Sequence, residues 1–490
     1  MKRWALAMIG LTALLFAAGC EVGPKYQKPT AQIPAQWSLQ GPWQAAAPSD
    51  AIPKGTWWSL FNTTELDALE EQTIKANQSL EAARARLNQA RAFARVQSSN
   101  LFPQTNVSPS AERQLYSGNR PTLGSPILPV PDTEYTYAIP FNINYEVDLF
   151  GSLRRNLESA NAQLQASAAD LENVRLVMTS ELAADYFSLR ELDAESNVVR
   201  EALEFQQKDY DLVVRREQGG VASGLDVFQQ ATVLDATRAQ LELLREQRAQ
   251  YLHAIAVLVG QPASTFTLAD HPLDTVPPAI PTGVPSDVLQ RRPDIATAER
   301  QMASANAQVG VAKAAFYPVI SLFGAGGASS RDIASLVSAP SAIWALGGQA
   351  VQPLFNGGRN RANLASAKAN YDQTVANYRQ NVLIAFQQVE DALSNLNTLQ
   401  SAAQSQEKAV ADAQRALTIA NNRYVGGITT YLDVVTAEET LLSNQRLMTQ
   451  IRGQQMVSSV YLAKALGGGW NADALNGIAV HPQAIQAVQP

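Results

Sequence analysis

Residues 135–148 read Tyr-Thr-Tyr-Ala-Ile-Pro-Phe-Asn-Ile-Asn-Tyr-Glu-Val-Asp. Tyr135, Tyr137, Ile139, Phe141, Ile143, Tyr145 and Val147 share one face of a strand. Thr136, Ala138, Asn142, Asn144, Glu146 and Asp148 share the other with Pro140. Alternation with a period of two over this length specifies a strand and not a helix. One face is apolar and aromatic, and the other is polar enough to meet water. The length suits a tilted membrane-spanning strand, with Tyr135–Tyr145 as the lipid-facing row. Pro140 removes one ladder donor, which central strands usually avoid. Taken alone, the stretch also fits a half-buried strand of a soluble sandwich.

The surrounding chain shifts that balance. It has 490 residues and a formal net charge of −6, with charged residues at 17%. That length allows a large core or several domains. The balance is not basic, so no nucleic-acid partner is expected. The one cysteine excludes a disulfide framework, and His253, His271 and His481 lack ligand spacing. No cofactor, metal or catalytic constellation is expected, so the chain is read as a non-enzyme. Lys2 and Arg3 precede an apolar run, Trp4 to Ala18, and Ala17-Ala18-Gly19 precedes Cys20. This is a secretory signal with a small-residue cleavage site. It resembles a bacterial lipoprotein box, although Ala17 stands where that box usually has leucine. Residues 1–19 are then the signal, and Cys20 is the lipidated first residue of the mature chain. The Glu21 that follows is compatible with transit to the outer membrane.

Residues 20–62 are a proline-rich extended segment closed by Trp57-Trp58. Residues 63–260 form a first unit. It comprises a helix from about Glu65 to Asn100, a hairpin over 104–148, a long helix and a return helix. From Ser152 to Gln218 there is neither proline nor glycine. Leu157, Leu164, Leu171 and Met178 recur every seven residues, the spacing of helices packed along one another. A helix of that length spans about 100 Å. Gly219-Gly220 ends it. Residues 261–284 are a proline-rich linker. Residues 285–470 repeat the plan with a helix, a strand pair over 319–353, a long helix ending at Gly426-Gly427 and a return helix. Residues 471–490 read as a loose tail. Arg216, Gly219, Gly220, Leu225, Asp226, Val227 and Gly260 recur as Arg423, Gly426, Gly427, Leu432, Asp433, Val434 and Gly467, at a constant offset of 207 positions.

Four strands cannot close a barrel, and lipid does not tolerate an open sheet edge. Three copies would give ~12 strands, an even number within the known range. The expected fold is mainly α with a membrane β-barrel portion. It is a homotrimeric tube in which a shared barrel continues into a long periplasmic α-helical barrel. A soluble coiled-coil rod would explain the heptads but not residues 135–147 or the signal.

Several runs carry a family resemblance. They are Val22-Gly23-Pro24-Lys25-Tyr26, Trp57-Trp58, Leu149-Phe150-Gly151, Arg291-Arg292-Pro293-Asp294-Ile295, Ala298-Glu299-Arg300, Val309-Gly310-Val311-Ala312, Arg423-Tyr424 with Gly427, and Leu466-Gly467-Gly468-Gly469-Trp470. The chain resembles the TolC-type outer membrane factors over nearly its whole mature length. Within them it resembles the NodT-like lipoprotein branch that serves resistance-nodulation-division pumps. The resemblance implies a trimeric exit duct in the outer membrane, in contact with lipid, a periplasmic adaptor and an inner-membrane transporter. It implies that Gly219-Gly220-Val221 and Gly426-Gly427-Ile428 form the periplasmic tip where the adaptor docks. It places Asp433 at a carboxylate ring, Asp226 at a nearby gating contact, and Tyr424 at a tyrosine that holds the tip closed. The family's arginine in that latch is replaced here by Thr429. The cargo expected is drugs or other small toxic compounds. Metal-ion efflux, protein secretion and a structural periplasmic lipoprotein are the alternatives.

Overall fold

The computed structural model describes residues 21–30, 34, 37–38, 55–115, 133–278, 280 and 285–482. The signal, Cys20, most of 31–54, the hairpin loop 116–132 and the last eight residues lie outside the described residues.

The chain builds one five-segment antiparallel sheet and a set of long helices continuous with it. The expected helix from Glu65 to Asn100 is two helices, α1 (Thr64–Ala76) and α2 (Gln78–Ser99). Asn77 separates them. Its side chain accepts from Ser79 N (2.9 Å) and Leu80 N (3.2 Å), an N-cap, while its amide nitrogen donates to Leu258 O (2.9 Å). The sheet begins with β1 (Gln104–Val107) and β2 (Ser110–Leu115), which both pair with β3 (Thr133–Val147). The two ladders share one register: Val107 faces Phe141 and Ser110 faces Ala138. They are therefore one strand interrupted at Ser108-Pro109, where Pro109 and Pro140 each lack a donor. The gap retains one bond, from Ser108 N to Pro140 O (3.2 Å).

After β3 come α3 (Ser152–Gln218) and the return helix α4 (Gly224–Leu258). The helix expected from Ser286 is likewise two, α5 (Pro285–Arg291) and α6 (Pro293–Ala314), because Pro293 sits at the first turn of the second. β4 (Val319–Ser330), β5 (Ala342–Val351), α7 (Arg359–Val425) and α8 (Tyr431–Ala465) complete the second unit. The sheet order is β1/β2–β3–β4–β5, so the first unit's strand pair joins the second's through β3 and β4. Both outer edges, β1/β2 and β5, are without a strand partner among the described residues.

Register explains why the second strand pair is rich in glycine. Phe141, Gly326 and Trp344 stand in one row across the sheet, and Ile143, Gly324 and Leu346 in the next. Large side chains on β3 and β5 thus flank glycines on β4. Tyr135, Ile139, Phe141 and Ile143 are exposed on this face with Trp344 and Leu346; Tyr137 and Tyr145 are half-buried on the same face. Asn142, Asn144 and Glu146 lie on the other. Arg113 stacks over the Tyr135 ring at 5.4 Å, near the end of the sheet remote from the helices. An aromatic ring and a long cation suit a membrane–water boundary.

α3 is the axis of the helical part. It packs against α2, α4, α6 and α8. Its heptad residues Leu157, Leu164, Leu182 and Leu189 are buried. At mid-height Arg190, 2% exposed, pairs with Asp193 (2.7 Å) and Glu65 (2.6 Å), and Arg248 reaches the other oxygen of Asp193 (2.6 Å). These paired charges bind α1, α3 and α4 into one layer. Each unit closes on its own first helices where its return helix ends. A side-chain carbon on Gly260 would meet Ala76 O at 2.5 Å, and one on Gly467 would meet Arg291 O at 2.1 Å. Arg292 of the Arg-Arg-Pro-Asp-Ile run donates to Ala465 O (3.1 Å) and pairs with Asp294 (2.6 Å), which fixes the second junction.

The tail differs from expectation. Residues 471–482 are seated on α3 and are not loose. Asn161 exchanges two bonds with Val480, Gln165 donates to Ile478 O (3.0 Å), and Leu475, Ile478 and Val480 pack on Ala160, Leu164, Ala168 and Ala169. Three spaced apolar residues suffice to hold the segment although its composition is rich in alanine.

Candidate gate at the helical tip

Both long helices end in the same turn. Gly219 N bonds Arg215 O (3.1 Å) and Val221 N bonds Arg216 O (2.8 Å). In the second unit Gly426 N bonds Asn422 O (3.1 Å) and Ile428 N bonds Arg423 O (2.9 Å). The second glycine of each pair, Gly220 or Gly427, has φ +73°, the left-handed conformation that lets a helix stop in a tight carbonyl-capping turn. The turns project Val221 and Ile428 at 70% and 71% exposure, with Leu225, Phe228, Val425 and Leu432 also exposed around them. An apolar cluster of this kind at a helix tip marks a contact surface.

The two aspartates are not equivalent. Asp226 forms a reciprocal capping box with Ser223: Ser223 N donates to Asp226 Oδ2 (3.1 Å), and Asp226 N donates to Ser223 Oγ (3.3 Å). Asp433 instead accepts from the Thr429 hydroxyl. Threonine thus occupies the carboxylate within its own turn, where the resembled family has an arginine. Asp433 lines a groove of about 520 Å³ between α7 and α8 with Arg423, Thr429 and Thr436.

Tyr424 faces away from this groove. Its ring lies 5.0 Å from that of Tyr431, and the Arg216 guanidinium sits over it at 4.7 Å. Burial raises the Tyr424 hydroxyl above its ordinary value; Arg216 pulls it down and Asp226 pushes it up. The structure therefore brings Arg216, Tyr424, Tyr431 and Asp226 together and leaves Asp433 on the other side of α8. The repeat placed Arg216 only opposite Arg423, so its stacking partner was not evident. Cation–aromatic preference was the one available signal.

At the opposite end, Glu21 lies where sheet becomes helix. Its carboxylate is 3.2 Å from Arg155, and Val22 N donates to Phe150 O (3.3 Å). Cys20 itself lies outside the described residues.

A sheet with an apolar outer face and two open edges, continuous with 67-residue helices, defines a segment of a membrane-anchored tube. Residues 69–261 and 284–468 match the outer membrane efflux protein family, one match for each repeat. The chain is 33% identical over 474 residues to the pyoverdine export outer membrane protein OpmQ of Pseudomonas aeruginosa, covering 96% of this chain and 98% of that one. It is 32% identical over 469 residues to the toluene efflux pump outer membrane protein TtgC of Pseudomonas putida, covering 95% and 96%. Among solved structures, the outer-membrane channel OprN superposes with a TM-score of 0.83 at 31% identity, over 92% of this chain and all of that one. The Campylobacter jejuni CmeC outer membrane channel gives 0.84 at 26%, over 92% and 96%. The chain belongs to the outer membrane efflux protein family.

Proposed function

We propose that three copies of this chain form the outer-membrane exit duct of a tripartite efflux pump. The duct receives small toxic compounds from an inner-membrane transporter of the resistance-nodulation-division type through a periplasmic adaptor. The observation that carries this reading is the continuity of an open-edged apolar sheet with helices about 100 Å long. Relatives are named for export of pyoverdine and toluene, which favours small organic cargo over metal ions or protein.

Cys20 is the lipid anchor in this reading. Glu21 lies at the sheet–helix junction, the level at which a lipid on Cys20 would enter the inner leaflet, and more than one acyl chain gives firm attachment. Labelled palmitate is expected in the wild type and absent from Cys20→Ser; equal labelling would rule the anchor out.

Asp433, repeated around a threefold axis, forms a carboxylate ring in the narrow mouth. Carboxylates so placed concentrate cations and disfavour anions. In planar bilayers the purified wild-type trimer is expected to conduct weakly and select cations. Asp433→Asn is expected to lose most of that selectivity and the block by trivalent cations added from the tip side. Asp226→Asn alone is expected to change selectivity less, because the capping box turns its charge into the helix end. Unaltered selectivity and block in Asp433→Asn would place the gate elsewhere, and absence of any channel would overturn the duct.

A further inference from the structure

Behind the tip lies a group of buried polar atoms without hydrogen-bond partners among the described residues. Glu438, on α8, is 8% exposed and its Oε2 has no hydrogen-bond partner. Gln206 on α3 and Gln230 on α4 are 2% and 0% exposed. Gln230 Nε2 donates to Gln206 O at 3.0 Å, yet the Oε1 of each is unpartnered, as is the buried Tyr431 hydroxyl. Asp209 of α3 lines the same small cavity as Glu438, so two carboxyls face one buried space. Two carboxylates cannot hydrogen-bond each other unless one carries a proton.

Among the described residues, the cavity lining offers no compensating charge. The two carboxyls line a cavity of about 250 Å³ whose lining includes no lysine or arginine. From α3 it also meets Glu201. From α7 it meets Gln414, Leu417, Thr418 and Asn421, none of them charged, with Tyr424 nearer the tip. α8 adds Glu439, and Asp226 of α4 acts on the Tyr431 end. Lys208 lies over the ring of Phe205, a residue of the cavity wall, at 5.5 Å and is not itself part of the lining.

We propose that Glu438 and Asp209 share one proton, and that this proton-bound pair latches α8 to α3 so that its loss frees α8 to carry Asp433 away from the pore axis. The proposal rests on the reading of Asp433 as the constriction. The geometry connects the two. Tyr431 and Glu438 are seven residues apart, two turns of one face of α8 directed at α3, while Asp433 is on the opposite face. Tyr431 meets Tyr424, which is held under Arg216 of α3. α8 is thus linked to α3 at two heights, at the tip through Tyr424 of α7 and Arg216, and further along by the carboxyl pair. Burial, then the hydrogen bond and charge of Asp209, push the Glu438 carboxyl up to about 9; Glu439 adds to this and Gln230 opposes it. For an acid raised in the folded state, the stabilising protonated form is complete below the ordinary glutamate range. Its contribution is lost as pH rises through the folded value.

Two measurements on the purified trimer test this. Infrared difference spectra at neutral pH, wild type minus Glu438→Gln, are expected to show a protonated-carboxyl stretch that disappears with a midpoint near 9. In bilayers, resting conductance of the wild type is expected to rise several-fold from neutral pH to about one unit above that midpoint. Glu438→Gln, a permanent neutral mimic, stays low throughout and serves as reference for the tyrosines and lysines that titrate in the same range. Asp209→Asn removes the like charge and is expected to move the midpoint down. Absence of the carboxyl band at neutral pH overturns the shared proton. A band accompanied by the same pH–conductance curve in wild type and Glu438→Gln overturns the latch. Asp433→Asn separates the two readings: if its selectivity is unaltered while the Glu438-dependent rise persists, the pair is a latch but Asp433 is not the constriction.

Discussion

Trimers are expected to vanish from the membrane when Phe141 is replaced by arginine. Phe141 stands mid-strand on the outward face, 44% exposed in a single chain, in one row with Val107, Gly326 and Trp344. A cation on the lipid face near the midplane costs roughly 2–4 kcal/mol. Each barrel of three chains carries three such charges, and folding of the shared barrel is all-or-none, so the costs accumulate to about 6–12 kcal/mol. That is comparable to the whole stability of an ordinary domain. Ile143→Arg, one row nearer the helices, is expected to behave the same way. Asn142→Asp, on the water face beside Phe141, is the control and should assemble at wild-type yield. Trimer is read from unheated gels and size exclusion in detergent. Normal trimer yield from Phe141→Arg would mean that this face does not meet lipid.

The second large effect is expected at the turns. Efflux should fall to the level of a strain lacking the gene when Gly220→Trp and Gly427→Trp are combined, with trimer yield unchanged. Both glycines have open space around them, so a side chain fits sterically. The strain lies in the left-handed backbone, and the bulk falls on the exposed apolar surface where the adaptor is expected to dock. The pair Val221→Asp with Ile428→Asp gives the same test without backbone strain, since it removes only exposed apolar contact. Loss of efflux in both doubles supports docking at the turns. Normal efflux in both would show that the adaptor binds elsewhere.

The long-range plan of this chain was legible because its signals are coarse and repeated. A run from Ser152 to Gln218 without helix breakers, closed by two glycines, admits one interpretation, and its recurrence as Arg359–Val425 doubles the signal. The strand at 133–147 was legible from strict alternation. Interruptions inside elements were harder to see. Asn77 breaks a helix by capping its successor and reaching Leu258, a contact made across 181 positions. Pro109 interrupts the first strand one position from Ser108, which faces Pro140, without shifting register, so two blemishes in the sequence are one feature of the sheet. At the tip, the types of residue were legible but not their pairing. Asp226 and Asp433 are repeat equivalents, yet one is a cap and the other lines a groove. The Glu438–Asp209 pair joins residues on different helices through burial alone, and no local pattern announces it. The seating of residues 471–482 was hidden for the same reason, since it depends on Asn161 and Gln165 of a distant helix.

Around the tube, subunits are expected to repeat the contact that the two units make within one chain. Phe150, at the end of β3, stacks on Tyr317, in the Phe-Tyr-Pro run that follows α6, with ring centroids 4.7 Å apart. Their repeat equivalents are Phe355, at the end of β5, and Phe102, in the Leu-Phe-Pro run that follows α2. Phe355 is 92% exposed in the single chain. No residue of α7 before Tyr378 is buried, whereas α3 is buried from Arg155 onward by α2 and α6. α7 lacks the counterpart of α6, which a neighbour's α2 would supply. The same equivalence sets a register. Phe141 faces Gly326 within the chain, so Leu346 of one subunit should face Ala111 of the next, both on the outer face. The direct measurement is oxidation of the double variant Ala111→Cys/Leu346→Cys in membranes. The account predicts covalent dimers and trimers on denaturing gels, with little product when Ala111→Cys is paired with a cysteine displaced by one residue, at Ala345 or Gly347. Cross-linking that fails at Leu346 or is as efficient at those neighbours would contradict it.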